Sequence, residues 1–269
     1  MNWADQAWRA LVAVVLVSLL AGAGVALLAP ESMRRVRNGD YAPQVENLRA
    51  GRGFVGEDGR VLHRYPPLYP LLLWGLEVAG ERTGLGKFPV LAVFAVLCNT
   101  ATATLVWALG REVGLGPWAA AAGASLFAVH PFVLYGVLIP VSETPFMVLF
   151  TGATLFLARG LRQGEAGWLL GGGVLAGLAC LMRPIALLSP VVAAGVLVWK
   201  MAGGWSARWR GVAAVAAGFL LAVLPWVGWV RAKSGEWVPV SSGGPPTLRD
   251  GLSFHHKSFR NRLELPAGV

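Results

Sequence analysis

A few charged residues stand where an otherwise apolar chain has little reason to keep them, and these are the residues able to do chemistry. Asp40 lies in a charged stretch that interrupts the apolar sequence between residues 30 and 66. An aspartate just outside a membrane can cap a helix, can take a proton from an acceptor hydroxyl, or can do both. Arg64 opens the run Arg64-Tyr65-Pro66-Pro67-Leu68-Tyr69-Pro70. Its planar guanidinium suits a phosphate, while the prolines fix the chain and Tyr65 and Tyr69 suit the headgroup level of a bilayer. Glu143, in Ser142-Glu143-Thr144-Pro145, sits between two apolar runs. It is either an exposed loop carboxylate or an acid facing a polar cavity, where acids at membrane depth are functional by default. Arg183-Pro184 divides another long apolar stretch. An arginine at mid-bilayer costs roughly 2.5–3.5 kcal/mol on insertion scales. The expected place for Arg183 is therefore a helix end at the interface, directed at a phosphate or at Glu143.

The elements that must position these residues follow from composition. Of 269 residues, 55% are hydrophobic and 14% charged, with mean hydropathy +0.58. That composition predicts an all-α, multi-spanning membrane protein and excludes a soluble domain with one core. The net charge of +9 does not point to nucleic acid, because the basic residues sit in loops between apolar runs; anionic lipid or a phosphorylated substrate fits better. Cys98 and Cys180 lie inside apolar runs and read as small hydrophobes. No zinc-type spacing occurs. His63 lies by the charged loop, and His130, His255 and His256 read as structural or solvated.

Apolar runs near residues 10–29, 88–109, 117–139, 144–158, 167–182, 185–201 and 211–230 predict about seven spans, some short or abutting. The first reads as an uncleaved anchor with its N-terminus in the cytoplasm. Residues 68–80 are short for a span and carry Glu77, so a re-entrant or interfacial helix is expected. Ala42, Val45 and Leu48 predict a short surface helix headed by Asp40 and stopped at Gly51 and Gly53. Arg111, Arg159, Arg162, Lys200, Arg208 and Arg210 then fall on the cytoplasmic side by the positive-inside rule. The loop at 30–65, itself rich in arginine, falls outside. The expected organisation is a multi-span unit over 1–230 and a polar extracytoplasmic tail over 231–269. That tail, with Ser241 to Pro246 as a flexible joint, shows no packed element, and the chain reads as the front part of something longer.

Together these residues resemble the GT-C superfamily of integral-membrane glycosyltransferases. The likeness is greatest to bacterial relatives of protein O-mannosyltransferase and of the lipid A aminoarabinose transferase. The resemblance rests on an acid followed by Tyr-x-x-x-x-x-Asn-Leu-x-x-Gly-x-Gly-Phe, here Asp40-Tyr41 through Asn47-Leu48 to Gly51-Arg52-Gly53-Phe54. Pro66-Pro67-Leu68-Tyr69-Pro70, Ser142-Glu143-Thr144-Pro145 and Met182-Arg183-Pro184 follow in the family's order. Many relatives carry a second acid beside the first. Here Tyr41 follows Asp40, so no paired-carboxylate site exists at that point.

The resemblance implies a GT-C-like helical bundle in the inner or plasma membrane, with its active loop extracytoplasmic. It implies inverting transfer of a sugar from a polyprenyl-phosphate-linked donor to the hydroxyl of an unidentified acceptor: a glycolipid, polysaccharide or protein. Asp40 would be the base, and Arg64 and Arg183 the donor-phosphate ligands. Glu143 would orient the acceptor or help hold a divalent cation, as some relatives require. Tyr41, Tyr65 and Tyr69 would form the interface loop. A transporter or lipid flippase is the rival reading, since intramembrane Arg and Glu also mark substrate paths, though no repeated half is visible. A non-catalytic fragment is a third.

Overall fold

The computed structural model describes residues 2–28, 41–56, 58–139 and 141–243. Asp40 and the chain after Gly243 lie outside the described residues. Apolar runs without charge become long helices, because a chain in lipid must satisfy its backbone internally. Helices α1 (Trp3–Leu28), α4 (Lys87–Glu112), α7 (Glu143–Gln163) and α10 (Trp205–Ser234) are long and apolar enough to cross a membrane. Helices α5 (Pro117–Ala128) and α6 (Pro131–Leu138) form a pair bent by 51°, a broken span or a re-entrant loop. The break falls at His130-Pro131, where proline has no N–H to give and the His130 side chain caps α6 by accepting from Phe132 N–H. Shorter apolar helices are α8 (Ala166–Met182) and α9 (Ser189–Lys200), joined by a 3-10 turn at Pro184–Leu188. The chain is a multi-pass, all-α membrane protein.

Glycine sets the closest approach in the bundle. A side chain at Gly173 would strike the backbone of Val215 and Phe219, and one at Gly218 would strike that of Leu170 and Val174. Helices α8 and α10 therefore meet backbone to backbone, as small residues allow in membranes. Gly160 and Gly172 admit Leu169 and Leu157 in the same way between α7 and α8.

The charged stretch is ordered over its described part. Helix α2 (Ala42–Arg49) forms as expected, but its N-cap is Tyr41, with no side-chain cap, and Asp40 precedes that position. Pro43 in the first turn, whose missing N–H would be unpaired anyway, fixes this start. Gly51 and Gly53 then adopt φ of 72° and 67°, which glycine takes without strain. The chain returns through a small hairpin, with Leu62 N–H donating to the Phe54 carbonyl at 2.8 Å. Helix α3 (Leu68–Arg82) follows, and Glu77 on it is 8% exposed. Arg49 of α2 neutralises that acid at 3.0 Å and also pairs with Glu81 at 2.5 Å, while Lys87 lies 3.9 Å from Glu77. Those partners hold the Arg49 guanidinium above its ordinary pKa, the hydrogen bond from Glu81 first. The two short helices are thus bolted together where the sequence showed only scattered charge.

One expectation needs correction. Residues 236–243 do pack. Val238 and Val240 are buried with Phe54, Trp226 and Val230, and Trp226 Nε1 donates to the Val240 carbonyl at 2.8 Å. Ser242 N–H donates to the His63 carbonyl at 2.9 Å, and His63 Nε2 lies 3.4 Å from Glu236. The segment after α10 therefore closes over the first loop, because Val238 and Val240 alternate with exposed Trp237 and Pro239 and reach an aromatic floor.

Candidate functional site

The site forms where the N-terminus of α7 meets the C-terminus of α8, beneath α2 and the start of α3. Helix α8 stops at Met182 because Pro184 cannot continue it, and Arg183 takes an extended conformation (φ −147°, ψ 128°). Its guanidinium is thereby thrown across to α7. There it forms an ion pair with Glu143, and Nη1 donates to Ser142 Oγ at 2.9 Å. Ser142 Oγ is a hub: it also donates to Glu143 Oε2 at 3.4 Å and accepts from Tyr41 OH at 3.5 Å. The start of α7 adds the positive end of its dipole beside these groups. The Arg183 and Glu143 side chains remain 34% and 53% exposed, so the pair can be reached by a ligand.

Aromatic rings line one wall. Tyr41 lies 4.8 Å edge-on to Tyr69 and 4.9 Å from Tyr65, and the Arg64 guanidinium sits 5.6 Å over the Tyr65 ring. Tyr69 is 2% exposed, and its hydroxyl has no hydrogen-bond partner among the described residues. Burial pushes this phenol well above the ordinary tyrosine range, with Tyr41 and Glu143 adding to the effect. It stays neutral, able to donate a hydrogen bond. Gln44 and Asn47 on α2 are buried, the first donating to the carbonyls of Leu62 and Tyr65 at 3.0 and 3.4 Å, the second accepting from Arg52 Nε at 2.6 Å. These bonds hold the loop's return path, and with it Arg64-Tyr65, against α2.

Arg183, Glu143, Tyr41, Tyr65 and Tyr69 are therefore brought together. Among the described residues Arg64 meets them through Tyr65, with its own side chain exposed. Asp40 lies outside the described residues. Sequence reasoning passed over Ser142 as a residue in its own right, although it stands in the same short motif as Glu143. Among the described residues no three of His, Cys, Asp and Glu converge as a metal site would need. Glu143 is the carboxylate at this point and is already paired with Arg183, so the described residues do not make a cation site by themselves.

An apolar groove of about 470 Å³ begins at Ile185, just past Arg183, and runs between α7, α8 and α9. Phe150, Leu157, Leu188, Val192 and Val196 line it. A cation and polar hub at one end of an apolar furrow can hold the phosphate of a lipid whose chain lies along the furrow. Comparison with curated proteins finds no match. Residues 65–229 match the family described as dolichyl-phosphate-mannose-protein mannosyltransferase, a stretch that includes Tyr65, Tyr69, Glu143 and Arg183. With more than half of the chain matched and the all-α membrane architecture in agreement, the chain belongs to that family of GT-C-type membrane glycosyltransferases.

Proposed function

We propose that the protein transfers a sugar from a polyprenyl-phosphate-linked donor to an acceptor hydroxyl, with inversion, on the outer side of the plasma membrane. The observation that carries this reading is the junction of Arg183, Ser142 and Glu143, with an apolar groove whose lining starts two residues beyond Arg183, at Ile185. The donor's phosphate binds the Arg183 guanidinium, whose fork matches two phosphate oxygens, and its prenyl chain follows the groove along α9. Phosphate at Arg183 competes with Glu143 and leaves that carboxylate to orient the acceptor. Arg64, exposed beside Tyr65, supplies a second positive charge on the outer side of this junction.

Asp40, the residue before Tyr41, takes the acceptor's hydroxyl proton. The freed oxygen bonds to the anomeric carbon from the face opposite the phosphate. The bond from that carbon to the phosphate oxygen breaks, and its electron pair leaves with polyprenyl phosphate. Negative charge grows on the leaving phosphate as the bond breaks, so Arg183 stabilises the transition state more than the ground state.

Donor titration tests this. Arg183→Lys keeps the charge but loses the fork, and should raise the apparent donor KM about ten-fold or more, with the amount of folded protein unchanged. Unaltered donor KM in both Arg183→Lys and Arg183→Ala would remove the phosphate role.

A further inference from the structure

At the end of the bundle remote from Arg183, helices α9 and α10 enclose a second groove, of about 520 Å³. Its walls are Ala194, Gly195, Val198, Trp199, Trp209 and Val212, and Arg208 is the charged residue that lines it. On one axis, the 3-10 turn and α9 carry the chain about 28 Å from Arg183 to Lys200, at the far end of this groove, close to the ~30 Å of a hydrocarbon core. That distance suits a polar end at the leaflet opposite Arg183.

Three observations there point to one kind of ligand. Arg208 is only half spent: Nε donates to the Met201 carbonyl at 3.2 Å and Nη1 to the Val198 carbonyl at 2.9 Å. A guanidinium has five N–H donors, so others remain for a ligand. Lys200 at the end of α9 holds its ammonium 3.8 Å over the exposed Trp199 ring, adding a second cation at the same level. Trp199, Trp205 and Trp209 are all exposed, with the last two in edge contact at 5.4 Å. Exposed tryptophans beside basic residues mark headgroup depth in a membrane protein. An apolar furrow leads from these cations toward the bilayer centre, and Gly195 leaves its floor open, since a side chain there would meet nothing within 4 Å.

We propose that the α9–α10 groove seats one anionic phospholipid. Its phosphate lies against Arg208 and Lys200 between the tryptophans, and one acyl chain lies along Ala194, Gly195, Val198 and Val212. The site is separate from the sugar-transfer site and does not depend on that function. A cation pair with an apolar trough selects a charged headgroup attached to a chain, not a zwitterionic lipid and not a free anion.

The test uses the full chain in a nonionic detergent, titrated with phosphatidylglycerol and with phosphatidylcholine of the same acyl chains, read by native mass spectrometry. Phosphatidylglycerol should bind about ten-fold or more tightly than phosphatidylcholine. Lys200→Gln combined with Arg208→Gln should erase that preference. Arg208 also braces the end of α9, so a second variant guards against misfolding: Gly195→Leu fills the trough, keeps both cations, and should weaken retention of phosphatidylglycerol several-fold. Glycerol 1-phosphate at millimolar concentration should not displace the lipid. Equal binding of the two lipids, an unchanged preference in the double glutamine variant, full retention in Gly195→Leu, or displacement by glycerol 1-phosphate would each overturn the proposal.

Discussion

The guanidinium of Arg183 has a partner whether or not a donor is present, and this decides what its replacement should do. Its pair with Glu143 is about one-third to one-half exposed, and pairs that open to solvent contribute about 0–1 kcal/mol. Glu143→Gln should accordingly shift the thermal midpoint very little while lowering transfer through loss of acceptor positioning. A loss of several degrees would mean that the pair serves the fold. Ser142 gives a sharper test, because it touches Arg183, Glu143 and Tyr41 at once. Ser142→Ala should raise the apparent donor KM several-fold, whereas Ser142→Thr, which keeps the hydroxyl, should recover much of that loss. Equal KM in wild type and Ser142→Ala would show that the hub does not position the arginine. The sequence made Glu143 and Arg183 conspicuous through the cost of charge among apolar residues. It could not make Ser142 conspicuous, since a serine before a helix is explained by capping alone. It named Glu143 as one of two partners for Arg183, the other a phosphate, and the contact between Arg183 and Glu143 depends on where α8 stops relative to α7.

Helices carry the site at their ends, so the contact that fixes their relative height matters most. Helix α8 delivers Arg183, and its backbone meets that of α10 at Gly173 and Gly218. Gly173→Val would drive a side chain into the Val215 carbonyl and the Phe219 N–H. Overpacking of this kind costs roughly 1–3 kcal/mol, more against backbone than against side chains. Folded protein recovered from membranes should fall sharply for Gly173→Val and stay normal for Gly167→Val, where nothing lies within 4 Å. Equal recovery of the two would contradict the close packing. At this scale the sequence was informative about helices, through apolar runs, and silent about pairing. The break at His130-Pro131 within the run 117–139 carried a signal in Pro131, but with apolar residues on both sides the run reads as one span. The valines after α10 were passed over because two alternating residues are too few to read as a pattern, and the aromatic floor formed by Phe54, Trp226 and Trp229 explains them.

For the molecule as a whole, the two ends of the bundle differ in kind. One carries Tyr41, Tyr65, Tyr69, Ser142, Glu143 and Arg183 under a folded cover. The other carries Arg159 and Arg162 on Glu112, with Lys200, Arg208 and Arg210 beyond. Basic short loops favour the cytoplasm, and on that ground we propose that the first loop lies outside. Asp58 is exposed on that loop, and both native cysteines are buried. Asp58→Cys should therefore react with a membrane-impermeant maleimide in intact cells, and labelling only after lysis would invert the topology. Chemistry at the covered end is tested most directly by following the leaving group, which needs no knowledge of the acceptor's identity. Membranes holding the full chain are given a polyprenyl-phosphate sugar labelled with ³²P, and the release of free polyprenyl phosphate is measured for wild type and for Asp40→Asn. Steady release by wild type and release reduced by about 100-fold or more in Asp40→Asn, with donor binding retained, is the expected result; equal release by the two would contradict base-assisted sugar transfer at this site.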